Sequence, residues 1–144
     1  MSQYSKVLDK TFIAGANFDT TAAEFVYVNM SGVENTVVVA STIAGFPLGI
    51  LQNGGIGGVK LGGAAVVRLV GTSKLQFFDS IAAGVPYIIN SLGLGLPLAT
   101  NTIVAGRIGG LALQAATASG ITNAMLEVTI NPYFGAAAAS QTVA

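Results

Sequence analysis

The stretch AAVVRLVG, residues 64–71, followed by KLQFFDS, residues 74–80, sets the reading of this chain. The first segment alternates about Arg68, the second is rich in apolar and aromatic side chains, and Gly71, Thr72 and Ser73 between them are turn formers. β-branched and aromatic residues suit a pleated, half-buried surface, so the two segments are expected as paired antiparallel strands. Phe77 and Phe78 are adjacent, so in a strand one faces the core and the other faces outward or toward a neighbour, unless a bend lets both enter the core.

The same signals recur to either side. Glu24, Val26, Val28 and Met30 alternate with Phe25, Tyr27 and Asn29, and NTVVVASTI (35–43) repeats the pattern with a valine run, punctuated by Gly32 and by Gly45 to Pro47. Asn53-Gly54, between apolar runs, is the strongest hairpin signal in the chain, because a type I′ turn needs positive φ at both centres. Short apolar runs VPYIIN (85–90), LPLAT (96–100) and IVAGRIGG (103–110) follow at a strand-like spacing. In AMLEVTIN (124–131), Leu126, Val128 and Ile130 share one side and Met125, Glu127 and Thr129 the other, until Asn131-Pro132 stops the strand. Only LALQAATASG (111–120) is compatible with a helix.

With 19 glycines, this pattern predicts an all-β fold, a small β-barrel or sandwich of short antiparallel strands with at most one short helix. Residues 1–22 lack a clear period and read as an N-terminal arm ordered by a partner; 23–132 form the barrel-like domain; and 133–144 form an Ala-rich C-terminal tail, mobile in isolation. Tyr133 and Phe134 beside the tail are candidates to anchor an interface.

Composition narrows the function. Charged residues make up 8% of the 144 residues and hydrophobic ones 52%, with a mean hydropathy of +0.70, whereas an ordinary soluble domain is about 25% charged. So little charge does not cover a free monomer, and the apolar surface must be buried in an assembly or in lipid. The uncharged runs 80–106 and 108–126 exceed the roughly 18 residues of a spanning helix. The first, however, contains Pro86, Asn90, Gly93, Gly95, Pro97 and Asn101, which a lipid-exposed helix does not tolerate, so no membrane partner is expected. Six basic and six acidic residues give a formal net charge of +0, which leaves no basic footprint for nucleic acid. The N-terminus, with Lys6, Asp9 and Lys10, does not read as a secretory signal.

Candidate chemistry is sparse. The chain has neither cysteine nor histidine, so a thiolate nucleophile, the commonest general base and the commonest metal ligand are all missing. The carboxylates Asp9, Asp19, Glu24, Glu34, Asp79 and Glu127 never come within four residues of one another, so they form no acidic metal loop. GGIGGVKLGG (54–63) invites a phosphate-loop reading but fails it, since Val59 precedes Lys60 and Leu61 follows, and G-x-G-x-x-G is not met; a flexible hairpin loop is expected. Ser73 has no histidine to activate it. No catalytic, cofactor-binding or metal-binding residue is therefore assigned, and no cofactor is expected. A binding or catalytic module would instead show a concave pocket of converging polar groups, for example Arg68, Asp79 and Arg107, rather than a flat apolar face.

The order LGILQNG, AAVVRLVGTSKLQF, IAAGVPYIIN, PLATNTIVAGRIGGLALQAATASG and AMLEVTI, across about residues 35–130, resembles the capsid cement (decoration) proteins of tailed bacteriophages. Gly49-Ile50-Leu51-Gln52 leading into the Val-rich strand, and IGGLALQAATASG before the last strand, carry the resemblance. It implies a β-barrel-like domain that forms a homotrimer, binds the major capsid protein on the outer surface of the virion, and stabilises the expanded shell. The alternative is another virion structural subunit: major shell, fibre or tail component.

Overall fold

Buried Ala65 and Val67 at one end and Leu75 and Phe77 at the other anchor the longest element among the described residues, a single strand that continues through the positions expected to turn. The structure is a computed structural model that describes residues 7–40, 47–90, 92–98, 106–116, 124–130 and 136–137. Among the described residues are ten strands: β1 (Leu8–Ala14), β2 (Tyr27–Met30), β3 (Thr36–Val39), β4 (Gly49–Leu51), β5 (Ala64–Phe77), β6 (Pro86–Ile89), β7 (Gly95–Pro97), β8 (Gly106–Leu111), β9 (Ala124–Ile130) and β10 (Ala136–Ala137). The one helical element among the described residues is a 3-10 turn at Thr21–Ala23.

Strands β1, β3, β2, β4 and β5 pair in that order, and β1 also pairs with β5, closing a five-stranded barrel. The first half of β5 belongs to this barrel. Its second half, Gly71–Phe77, pairs along its length with β9, and β7, β6, β8 and β10 continue from its end. A bridge between Ala112 and Val128 brings the end of β8 back toward β9. Pairing is antiparallel except for β1 with β3 and β5 with β7, which are parallel.

The expected pair of strands at 64–71 and 74–80 is thus one strand of 14 residues. Gly71 adopts φ +116°, a conformation open to glycine and strained for other residues. It bends β5 where its partners change, from β1 at Leu8↔Val70 to β9 at Gly71↔Ile130. Turn-forming residues here redirect a strand instead of ending it.

The Asn53-Gly54 turn is likewise corrected. β4 and β5 do pair antiparallel, but the connection spans residues 52–63. Asn53 caps the start of β5: its Oδ1 accepts from Val66 N at 2.9 Å and its Nδ2 donates to Ala64 O at 2.8 Å. LALQAATASG is not helical over its described part, since Leu111 ends β8 and Ala116 bridges Ile81; residues 117–120 lie outside the described residues. Residues 8–14, expected within an arm, form β1 and bury Phe12 and Ala14. Alternation there was masked by polar residues on the exposed side. Within the expected tail, Ala136–Ala137 pairs with β8, whereas Tyr133 and Phe134 lie outside the described residues.

Among the described residues the buried apolar side chains form two clusters. One holds Phe12, Ala14, Phe18, Val28, Val37, Leu51, Ala65 and Val67 inside the five-stranded barrel; the other holds Tyr27, Ile50, Leu75, Phe77, Tyr87, Leu126 and Val128. β2 and β4 are the wall between them, because Tyr27 and Ile50 face one core while Val28 and Leu51, next in sequence, face the other. Such doubly covered strands carry continuous apolar residues instead of alternating ones. β9 alternates as expected, with Leu126, Val128 and Ile130 buried and Glu127 exposed.

Candidate functional site

Of the residues that could have formed a polar pocket, Arg68 is spent on structure. Arg68 and Asp9 are cross-strand partners in β5 and β1, joined by a bidentate ion pair, Nε to Oδ1 at 2.8 Å and Nη2 to Oδ2 at 3.1 Å. The bond to Asp9 pushes the Arg68 pKa further up, and its Nη1 donates to Thr72 O at 3.0 Å, bracing the bend in β5. Asp79 is exposed beyond the other end of β5, and its Oδ1 accepts from Ser80 N at 2.7 Å. Arg68 and Asp79 therefore sit on different halves of the molecule, and the Arg107 side chain lies outside the described residues. Ser73 is buried and bonded to Gln52 Nε2 at 2.9 Å and to Lys74 O at 2.9 Å. Among the described residues no three Asp or Glu side chains gather where they could hold a metal ion, and no described helix is long and apolar enough to cross a membrane.

The most buried polar chemistry belongs to two tyrosines. Their hydroxyls lie 2.8 Å apart, Tyr87 donates to Thr129 O at 2.7 Å, and the rings are tilted at 52°. Burial pushes both pKa values well above the ordinary 10.0, so the pair titrates with the integrity of the fold. Since the folded pKa values are raised, their contribution is whole below about pH 10 and is lost as pH rises, at about 1.4 kcal/mol per unit for each phenol. Denaturant midpoints should fall between about pH 10 and 11, and fall less steeply in Tyr27→Phe; equal slopes would contradict this account.

What the fold offers at its surface is apolar. Phe77 is buried while Phe78 is 43% exposed, so the adjacent aromatics do face opposite sides. Phe78 lines a groove of about 440 Å³ with Ala22, Ala23, Val39, Leu92 and Leu94. Gln76 lies at its base, buried, with Nε2 donating to Glu24 O at 2.9 Å. Next to the groove is the glycine-rich loop, with Ile56 86% exposed and Leu61 64% exposed.

This loop is braced by hydrogen bonds, contrary to the flexible loop expected. Gly55 N donates to Phe18 O at 2.9 Å, Phe18 N to Val59 O at 2.8 Å, Gly62 N to Ala14 O at 2.8 Å, and Leu61 N to Asn17 Oδ1 at 2.9 Å. Gly58 lies so close to Phe18 O and Asn53 O, both 2.8 Å from where a Cβ would stand, that a larger residue does not fit. The glycines serve close packing, and the loop displays isoleucine rather than backbone N–H groups for a phosphate. Sequence reading passed over Ile56, although an isolated isoleucine between glycine pairs was the available signal. The groove had no local signal, because its walls come from four separate segments.

No protein-family model and no curated protein matches the sequence. Among solved structures the fold is similar to the head fiber gp8.5 N base of bacteriophage phi29, with a TM-score of 0.56 and 13% sequence identity, covering 90% of this chain and 98% of that one. The likeness is one of fold. That neighbour is a head fiber component.

Proposed function

We propose that this chain is a non-catalytic structural subunit of a phage virion, seated on the outer surface of the head. The observation that carries the reading is the combination of an all-β fold like a head-fibre base with an apolar, charge-poor surface whose few ionic side chains are engaged in structure or solvent. In its finer form, the chain is a decoration protein: it binds the major capsid protein as a homotrimer and stabilises the expanded shell. One trimer touching several capsomers gains avidity from contacts that are individually weak, and burial between subunits and shell covers surface that a free monomer would expose.

The likeness to a head-fibre base favours a second form, in which the subunit attaches to the head without reinforcing it. One set of measurements separates the two. Light scattering should give a trimer, and purified protein should bind expanded but not immature shells. A decoration protein raises the temperature at which the expanded shell releases its genome, whereas a fibre base binds and leaves that temperature unchanged. A stable monomer that binds neither shell would refute both forms.

A further inference from the structure

We propose that Asn53 is a gated deamidation site: the folded chain holds it as an amide, and opening of the connection at residues 52–63 releases it to convert, through a cyclic imide with Gly54, into aspartate and isoaspartate. The site belongs to a single chain and works in the same way whether or not copies assemble.

Asn53-Gly54 is the one Asn-Gly pair in the sequence. Such a pair is labile because glycine has no side chain to keep its backbone nitrogen away from the neighbouring carboxamide. Here the fold demands both residues. A Cβ on Gly54 would strike Ala23 O and stand 2.7 Å from Leu51 Cδ2, so no larger residue fits. Asn53 must accept and donate at once, since its Oδ1 takes Val66 N at 2.9 Å and its Nδ2 gives to Ala64 O at 2.8 Å. An aspartate supplies no donor for Ala64 O. Packing at one position and capping at the next therefore place the labile pair just before β5.

The same contacts hold the chemistry back. In the reaction, base removes the Gly54 N–H proton and the nitrogen attacks Cγ of Asn53. The new N–Cγ bond closes the ring, the Cγ–Nδ2 bond breaks, and ammonia leaves after taking the proton back. Water then adds at either imide carbonyl and opens the ring to aspartate or isoaspartate. Attack comes at the flat face of the carboxamide, whose two in-plane edges are bonded to the start of β5. The peptide unit carrying Gly54 N is anchored elsewhere, because Asn53 O accepts from Val59 N at 3.1 Å. Carboxamide and nucleophile cannot turn toward each other while both sets of bonds stand. Asn53 is only half-buried, so water and base reach it and the barrier is conformational. Once formed, the product hinders reclosure: a carboxylate oxygen replaces Nδ2 and faces Ala64 O, acceptor against acceptor. Conversion thus leaves a permanent mark on a chain whose connection has opened.

Peptide mapping that separates aspartate from isoaspartate tests the gate in the full chain held at mildly alkaline pH. Asn53 should convert at least about tenfold more slowly in the folded chain than in the same chain unfolded in guanidinium, because the rate follows the open fraction. Asn17→Ala removes the side-chain acceptor for Leu61 N and should speed conversion several-fold with an unchanged circular dichroism spectrum. Asn53→Asp, the direct aspartate product, should melt about 5 °C below the wild type. Equal rates in the folded and unfolded chain would show that the amide is not held, and would overturn the proposal. Conversion in the wild type should also be insensitive to denaturant well below the unfolding midpoint, as local opening is; this measurement stands even if Asn17→Ala fails to fold. A rate that climbs with denaturant as steeply as global unfolding does would mean that the connection is not the gate. An Asn53→Asp chain that melts with the wild type would remove the permanent mark.

Discussion

Tyr27→Ala is expected to destabilise the fold by about 4 kcal/mol, close to the cost of emptying a buried aromatic site. The side chain is fully buried and stands on the wall between the two cores, where its ring lies 6.1 Å from that of Tyr87. Tyr87 in turn meets Phe77 edge-on at 5.7 Å. Truncation leaves a cavity on the side where β5, β6 and β9 converge and removes the hydroxyl that meets Tyr87. Tyr27→Phe keeps the ring and should cost only about 1 kcal/mol, because Tyr87 retains Thr129 O as an acceptor. With total stabilities of about 5–15 kcal/mol being usual, the alanine variant should be marginal at room temperature while the phenylalanine variant stays folded. Guanidinium unfolding of the two variants measures this difference. Comparable losses in both would mean that the hydroxyl, and not the ring, ties the two halves together.

Gly49→Ala is expected to cost about 3 kcal/mol or more, although it adds a single methyl group. Gly49 lies opposite Val28 of β2, and a Cβ there would strike Arg68 O and stand 2.9 Å from Val67 Cγ1. The struck atom is backbone, and β1 on the far side, pinned by the Asp9–Arg68 ion pair, holds β5 in place. Gly57→Ala is the contrast. Its φ of +77° is unfavourable for alanine, but nothing lies within 4 Å of the added Cβ, so it should cost about 1 kcal/mol. Thermal melts should place the Gly49 variant well below the Gly57 variant. The reverse order would mean that β4 yields where the packing says it cannot.

Elements whose pattern is local were legible in the chain. β9 declares itself because Leu126, Val128 and Ile130 alternate with residues that stay wet, and β6 because a compact apolar run is bounded by turn formers. The opposite faces of Phe77 and Phe78 follow from the two-residue period of any strand. The scarcity of catalytic and metal-binding side chains is a matter of composition and needs no fold.

Other features depended on partners distant in sequence. Gly71-Thr72-Ser73 has the residues of a turn, and only its pairing with Ile130, Thr129 and Val128 makes it the middle of a strand. The N-terminal segment looked featureless because the exposed side of β1 carries Asp9 and Thr11, while Phe12 and Ala14 find their environment in β3 and β5. Local backbone preference is worth less than about 1 kcal/mol per residue and tertiary context overrides it. The strand content and the absence of cysteine and histidine were therefore written along the chain. The closure of the barrel, the shared wall of β2 and β4 and the groove beside Ile56 arose only when segments far apart in sequence were packed together, since burial is a property of neighbours and not of residues.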